Sequence, residues 1–220
     1  DNRVLVNHYR PKEDVPTGKV VGVEALVRWQ HPLDGLVFPD QFISICEAND
    51  LIDDLTRIVL AGGFTQLSVW QRAGLRLRMS INLSMDNLKS LDFADYVIKE
   101  TERAGIAPQD VVFEVTESRL MHDARVPLDL LTRLSLNRFC LSIDDFGTGH
   151  SSLAQLRDIP FNELKIDRSF VHRARHDSTV NVIYQASVDL GRKLDMDVVA
   201  EGVEDGDDWD FVCKTKCTFA

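Results

Sequence analysis

Residues 111–115 read Val-Val-Phe-Glu-Val, an apolar run that contains a single acid, Glu114. Near-continuous apolar runs are typical of strands in a parallel sheet, because helices cover both faces of such a sheet. Similar runs recur along the chain and predict the strands Val4–Tyr9, Val20–Trp29, Leu75–Leu83, Val111–Val115, Phe139–Ile143, Leu164–Ile166 and Val198–Ala200. Amphipathic stretches separate them, so the alternation indicates βαβ units and an α/β fold.

The helices are predicted over the amphipathic stretches Asp40–Ala48, Leu51–Ala73, Phe93–Ala104, Val126–Leu134 and Thr179–Leu194. Three glycines, Gly74, Gly105 and Gly191, stand where helix C-terminal caps are expected. The chain contains no Gly/Ser-rich linker and no break in composition, which favours one domain. With 220 residues, it has the length at which an α/β barrel forms a single unit.

The composition is that of a soluble globular protein, with 44% hydrophobic and 27% charged residues, and it excludes a disordered chain or a disulfide scaffold. The formal charge of −10 disfavours duplex DNA binding, which depends on Lys and Arg contacts with phosphate. No run of 18 apolar residues exists, so no membrane span is predicted. Four scattered cysteines indicate reduced thiols in the cytoplasm. Cys213 and Cys217 share a predicted helix, but no second pair supports a metal site.

Six consecutive predicted strands carry an acid, an amide or a lysine inside or just after the apolar run. These residues are Glu24, Asn82, Glu114 with Glu117, Asp144 with Asp145, Lys165 with Asp167, and Glu201 with Glu204. In parallel α/β barrels, catalytic groups gather at the carboxyl ends of the strands. Two carboxylates about 4 Å apart repel by roughly 4 kcal/mol at an effective dielectric constant of about 20, so such a cluster requires cations. Carboxylate and amide oxygens suit Mg²⁺ or Mn²⁺ better than Zn²⁺.

Each of these residues also has a structural interpretation. A single glutamate in a strand is usually a solvated edge residue or a salt-bridge partner, and Lys165 could be a counter-ion inside the barrel. Asp144 and Asp145 could cap the turn that follows them. The loop from Asp144 to Ser152 contains two glycines, but it lacks Gly-Lys-Ser/Thr and is therefore not a P-loop. Ser151 or Ser152 is expected to cap the next helix.

Taken in order, the motifs resemble those of the EAL domain family, bacterial phosphodiesterases that linearise cyclic di-GMP to pGpG. The matching motifs are Glu24-Ala-Leu26, Asn82-Leu-Ser84, Glu114-Val-Thr-Glu117, Asp144-Asp-Phe-Gly-Thr-Gly149, Lys165-Ile-Asp167 and Glu201-Gly-Val-Glu204. The resemblance covers essentially the whole chain. It implies a modified (β/α)₈ TIM-like barrel whose first strand is antiparallel to the rest.

The resemblance also implies roles for individual residues. One metal ion, Mg²⁺ or Mn²⁺, would be held by Glu24, Asn82, Glu114 and Asp144, and a second by Asp144 and Asp145. Lys165 and Glu201, together with Glu24, would form the catalytic set that positions or deprotonates the attacking water. The remaining implied residues are Arg28, Arg10, Asp167 and Glu204 beside the substrate, Glu117 as the anchor of the loop, and the segment near Phe38-Pro39 for guanine.

The chain departs from the family pattern in three places. The family usually has Tyr-Gln-Pro near its start, where this chain has Tyr9-Arg10-Pro11, so a cation replaces an amide. His150 stands where tyrosine is frequent. The family carries Gln-Gly on its last strand, whereas this chain ends at Ala220, where that strand would begin.

The leading hypothesis is therefore a metal-dependent cyclic di-GMP phosphodiesterase. The alternatives are a catalytically inactive cyclic di-GMP receptor and another metal-dependent barrel enzyme, such as an acid/base catalyst of the enolase type. Residues 1–220 are expected to form one EAL domain truncated at its last strand and helix, taken from a longer bacterial protein with a sensor or receiver domain upstream. The resemblance further implies a cytoplasmic homodimer.

Overall fold

A computed structural model of the protein describes residues 4–117, 125–148 and 153–220. The sheet is built from β1 (Leu5–Asp14), β2 (Lys19–His31), β3 (Gly35–Val37), β4 (Arg78–Asn82), β5 (Val111–Thr116), β6 (Cys140–Phe146), β7 (Glu163–Ile166) and β8 (Asp197–Ala200). Its order is β1-β2-β4-β5-β6-β7-β8, and β3 adds a short hairpin to β2. β1 pairs antiparallel with β2, and the strands from β2 through β8 pair in parallel along this order. The expected barrel with an antiparallel first strand is confirmed.

The helices are α1 (Ile43–Ala48), α2 (Ile52–Arg72), α3 (Leu91–Ala104), α4 (Arg125–Leu136), α5 (Leu153–Asp158), α6 (Arg168–Ala174), α7 (Ser178–Lys193) and α8 (Gly206–Lys214). Short 3₁₀ helices span Pro39–Gln41, Asn87–Lys89 and Pro108–Asp110. All five predicted helices are present, and β3 and α6 are additions that the sequence patterns did not predict. The predicted cap at Ser151 or Ser152, and His150, lie outside the described residues.

The last residues of the chain connect the two edges of the sheet. Thr218 and Phe219 donate backbone hydrogen bonds to the Val198 carbonyl on β8. On the other side, Ala220 exchanges two backbone hydrogen bonds with Glu13 of β1, at 2.8 and 3.0 Å. Residues 218–220 therefore lie between β8 and β1.

The apolar core lies between the sheet and the surrounding helices. Leu60 and Leu67 of α2, Leu130 and Leu134 of α4, and Tyr184 of α7 are fully buried. Burying such side chains contributes about 1.5–3 kcal/mol each. This outer layer therefore supplies most of the hydrophobic stabilisation.

The inside of the barrel is polar. Lys12 Nζ on β1 lies 2.7 and 2.9 Å from the two carboxylate oxygens of Glu163 on β7, and both side chains are buried. Because β1 and β7 are not neighbours in the sheet, this salt bridge crosses the barrel. Side chains alternate along a strand, so Lys165 also faces inward while Leu164 faces the helices.

Two local predictions are wrong. Gly191 does not end a helix: it lies inside α7, where its lack of a side chain admits Val198 and Leu164 of the sheet. Cys217 does not share a helix with Cys213, because α8 ends at Lys214 and Cys217 is buried beside the Tyr184 hydroxyl. Gly74 and Gly105 do stand at helix ends, both with positive φ.

Among the helices of the described residues, none combines the length and the apolar character that crossing a membrane would require.

Gly191→Ala is expected to destabilise the domain, since the new Cβ would lie 2.6 Å from Val198 Cγ2. Overpacking of this kind typically costs about 1–3 kcal/mol, so the midpoint of urea denaturation, followed by circular dichroism, should fall. Gly206→Ala is the matched control, because it lies in α8 and its Cβ would meet no atom within 4 Å. Equal midpoints for the two variants would contradict the packing role assigned to Gly191.

Candidate active site

The centre of the site is the ammonium group of Lys165, which β7 carries into the barrel. Its side chain is only 4% exposed. Nζ lies 2.8 Å from Glu114 Oε2 on β5, 3.2 Å from Asp144 Oδ1 on β6, and 2.7 Å from Oε1 of Glu201, which follows β8. Four strands of the parallel sheet thus bring their polar residues to one point, as the positions in the sequence predicted.

Three carboxylates form the tightest cluster. Asp144, Asp145 and Glu201 each offer an oxygen atom, and these oxygens lie within 4.8 Å of one another. Glu114 and Glu24, which the family resemblance assigned to the metal, are not in this group, and Lys165 connects Glu114 to it. The oxygen donors are those that Mg²⁺ and Mn²⁺ take in proteins, so the residues fit a hard divalent cation.

The charges around Lys165 also indicate a cation site. Although burial opposes its charge, the surrounding carboxylates raise the pKa of Lys165 well above the ordinary value, so it stays protonated. Burial would also raise the pKa of Glu114, but Lys165 and Lys12 hold it below its usual range. At Asp144 burial dominates and raises the pKa to about 8. A bound divalent cation would offset the charge of these carboxylates and favour the ionised form of Asp144, so the cluster is suited to binding further cations.

Glu24 and Asn82 form a second group on the neighbouring strands. In the sheet register Glu24 lies opposite Ser80 and Asn82 lies opposite Glu114. Asn82 Nδ2 donates a hydrogen bond of 2.9 Å to Glu24 Oε1, which leaves the amide oxygen as a potential ligand. Arg10 of β1 completes the group, with one guanidinium nitrogen 3.4 Å from Glu24 Oε2.

Two cavities of about 410 Å³ each meet at this site. The first extends into the barrel past Lys12, Ser80, Glu114 and Lys165. The second is lined by Asn82 and Asp144 and by the apolar side chains of Val27, Pro39, Ile43, Leu55 and Leu83. Both are lined by Arg10, Glu24 and Glu201, so these three residues stand at the junction of a two-lobed site.

The remaining predicted residues lie around this centre. The amide of Gly147 donates a 2.8 Å hydrogen bond to Glu117 Oε2, and Asp167 accepts from the amide of Ser169 at the start of α6. Glu204 lines the mouth of the first cavity. Arg28 is not among the residues that line the two cavities, and its guanidinium packs 4.9 Å from the Phe38 ring centroid.

The sequence did not predict two basic residues that line the first cavity, Lys12 and Arg168. Lys12 follows Arg10 by two residues, so strand alternation would have placed both on the inner face once β1 was extended past Tyr9. Arg168 follows Asp167 directly, but no local pattern distinguishes it from an ordinary surface arginine.

Comparisons with known proteins agree with this geometry. A profile described as "EAL domain" matches residues 1–220. The chain is 40% identical over 218 residues to the bifunctional diguanylate cyclase/cyclic di-GMP phosphodiesterase MucR of Pseudomonas aeruginosa, covering 99% of this chain and 32% of that protein. It is 42% identical over 211 residues to the cyclic di-GMP phosphodiesterase NbdA of the same organism, covering 96% and 27%. The chain therefore spans a third or less of these curated relatives.

A comparison with solved structures gives a match over almost the whole chain. A structure described as the PaMucR phosphodiesterase in complex with c-di-GMP superimposes with a TM-score of 0.93 at 40% identity, covering 99% of this chain and 88% of that chain.

The raised pKa of Asp144 predicts a pH-dependent stability. The unfolded chain releases this proton near pH 4, whereas the folded domain retains it to about pH 8. The stabilisation is therefore present at low pH and is lost as the pH rises through 8. With a chelator present, the thermal midpoint of the domain should fall between pH 6 and pH 8.5.

Asp144→Asn should make this fall shallower without abolishing it, because Asp145 and Glu201 also have raised pKa values. Differential scanning fluorimetry across this pH range gives the slopes. Identical slopes for the wild type and the variant would show that Asp144 is already ionised in the folded domain.

Proposed function

The chain belongs to the EAL domain family, and on that premise we propose that it hydrolyses cyclic di-GMP to linear pGpG with the help of divalent cations. The observation that carries this proposal is the convergence of Glu114, Asp144 and Glu201 on the buried Lys165. MucR and NbdA, which match the chain over almost its whole length, carry cyclic di-GMP phosphodiesterase in their names. The enolase-type alternative has no such support.

We propose that Glu24, Asn82, Glu114 and Asp144 hold one cation and that Asp144 and Asp145 hold a second, with Mg²⁺ or Mn²⁺ as the ions. Glu201 belongs with the second group, because its oxygen lies in the same cluster as those of Asp144 and Asp145. When bound, such ions generate a hydroxide nucleophile near neutral pH and stabilise charge on the phosphoryl oxygens.

The protein's own side chains orient the reaction. Lys165 stays charged and fixes one oxygen of Glu201 at 2.7 Å, so the other oxygen is available to accept a proton from the attacking water. Burial raises the pKa of Glu201, which makes its carboxylate a stronger base than a solvated glutamate. Glu24 receives hydrogen bonds from Asn82 and Arg10 and is thereby held at the junction of the two lobes.

The shape of the site suits a ligand with two halves. We propose that the phosphodiester lies at the junction beside Arg10 and Glu201, and that the halves of the dinucleotide extend into the two cavities. Pro39 lines the apolar lobe, in agreement with the expected guanine contact near Phe38-Pro39. Arg28, Asp167 and Glu204 remain candidates for outer contacts with the substrate, and Glu117 for the anchor of the loop.

An inactive receptor would be expected to lack some of the cation ligands, whereas all of the predicted ligands are present here. We further propose that residues 1–220 act as one catalytic domain of a longer multidomain protein in the bacterial cytoplasm and that this domain works as a homodimer. The greater length of the matched relatives supports the first of these points.

Asp144→Asn is expected to lower kcat for cyclic di-GMP by about 100-fold or more, because bound cations contribute several kcal/mol to transition-state stabilisation. Chromatographic detection of pGpG with Mg²⁺ or Mn²⁺, and with a chelator as the blank, measures this. Glu102→Gln, an exposed acid on α3, is the control and should retain wild-type activity. Tight binding of cyclic di-GMP by the wild type without any pGpG would establish the receptor instead.

Arg10→Gln tests one of the positions at which this chain departs from the family pattern. The Arg10 side chain is 61% exposed at the junction, and an exposed charge interaction is worth up to about 1 kcal/mol, so KM should rise about 3- to 5-fold. Lys99→Gln on α3 is the control for removing a distant exposed cation. An unchanged KM with a lower kcat would show that Arg10 acts on Glu24 rather than on the substrate.

A further inference from the structure

We propose that the first turn of α6, Arg168–Phe170, is a positioning element that sets the separation between the acids of the cation cluster. The proposal rests on the proposed function, since it concerns the same site. Asp144 and Asp145 lie at the end of β6, and Glu201 follows β8. The α6 turn directly follows β7, which lies between these two strands in the sheet.

The first contact is between Phe170 and the turn after Asp145. Gly147 has a φ of +100°, and a Cβ there would lie 2.9 Å from Phe170 Cε2 and 3.1 Å from Cζ. The Phe170 ring thus fills the space that a side chain at position 147 would need. From another direction, the amide of Gly147 donates to Glu117 Oε2, so the turn is fixed by two separate contacts.

These contacts adjoin a residue with a left-handed backbone conformation. Asp145 has a φ of +56°, in the region that aspartate adopts more readily than most non-glycine residues. Within the turn, the Thr148 hydroxyl donates to the Asp145 carbonyl at 2.9 Å. Phe170 and Glu117 restrain Gly147, and with it the turn that begins at Asp145.

The second contact is between Arg168 and the residue after Glu201. Gly202 has a φ of +71°, and a Cβ there would lie 2.4 Å from Arg168 Cβ and 3.3 Å from Arg168 Cα. The backbone of α6 therefore approaches Gly202 as closely as a residue without a side chain permits. Because Gly202 is bonded to Glu201, a shift of α6 is transmitted to that carboxylate.

The two contacts make α6 a spacer between the loops that carry the cluster. The start of the helix is itself fixed, since Asp167 accepts a 3.0 Å hydrogen bond from the Ser169 amide. Metal sites require their ligands to lie within about 0.5 Å of the productive geometry. Phe170 is therefore a positioning residue, which touches neither cation nor substrate and determines how well the carboxylates meet.

Phe170→Leu tests the proposal, because it keeps an apolar side chain and removes the ring from Gly147. We expect the affinity for Mn²⁺, measured by isothermal titration calorimetry on the metal-free domain without cyclic di-GMP, to fall about 10-fold, as for other residues that orient metal ligands. In hydrolysis assays, kcat should fall more than KM rises. Phe170→Met serves if the leucine variant does not fold, with the same expected direction.

Phe211→Leu is the matched control. Phe211 is also a partly buried aromatic residue on a helix, but its ring packs on Tyr184, 5.2 Å between centroids, and it lines neither cavity. It should lower the thermal midpoint in the same way as the Phe170 variant and leave the Mn²⁺ affinity unchanged. Equal Mn²⁺ affinity in the wild type and the Phe170 variants would overturn the proposal while leaving the proposed function intact. Failure of the wild type to bind Mn²⁺ would overturn both.

Discussion

The buried ammonium group of Lys165 is the interaction on which the interior of the barrel depends. It faces Glu114, whose side chain is 1% exposed, together with Asp144 and Glu201, and it forms an ion pair with each of the three. Removing one partner of a buried ion pair typically costs about 3–5 kcal/mol, because the remaining charge is left without compensation. Here the removal of Lys165 would leave several carboxylates without a compensating charge. Lys165 on β7 therefore stabilises the convergence of the ends of β5, β6 and β8.

The remaining interior follows from the alternation of side chains on β7. Glu163 and Lys165 are two residues apart and both face inward, where Glu163 pairs with Lys12 and Lys165 pairs with the acids. One strand thus places an acidic and a cationic side chain at two successive levels of the barrel. The charge of Lys12 also helps to keep the pKa of Glu114 below its usual range. A polar interior of this kind adds little hydrophobic stabilisation, so the layer of helices packed outside the sheet must supply it.

The sequence predicted the parallel strands and the strand-end acids because both depend on local pattern: an apolar run forms a buried strand, and a polar residue at its end lies at the site edge. It predicted β1 too short, because Arg10 and Lys12 do not resemble strand residues until their partners Glu24 and Glu163 are known. It also misassigned Gly191, whose role is set by Val198 of another element. The short helix α6 has too few residues for a periodic pattern to reveal it. The errors at β1 and Gly191 thus come from contacts between segments far apart in the chain, whereas the missed α6 comes from its shortness.

The site therefore combines groups of two kinds. Glu114 and Lys165 are carried on strands, whose backbone hydrogen bonds fix where each side chain begins. Asp145 and Glu201 lie where the strands end, and their geometry depends on neighbours that the sheet does not provide. The strand groups set the charge of the site, while the groups at the strand ends set how closely its oxygens approach. A displacement of α6 would change how closely the oxygens approach one another and would leave the charge of the site unaltered. Cation affinity can therefore vary in this fold without a change in any ligand.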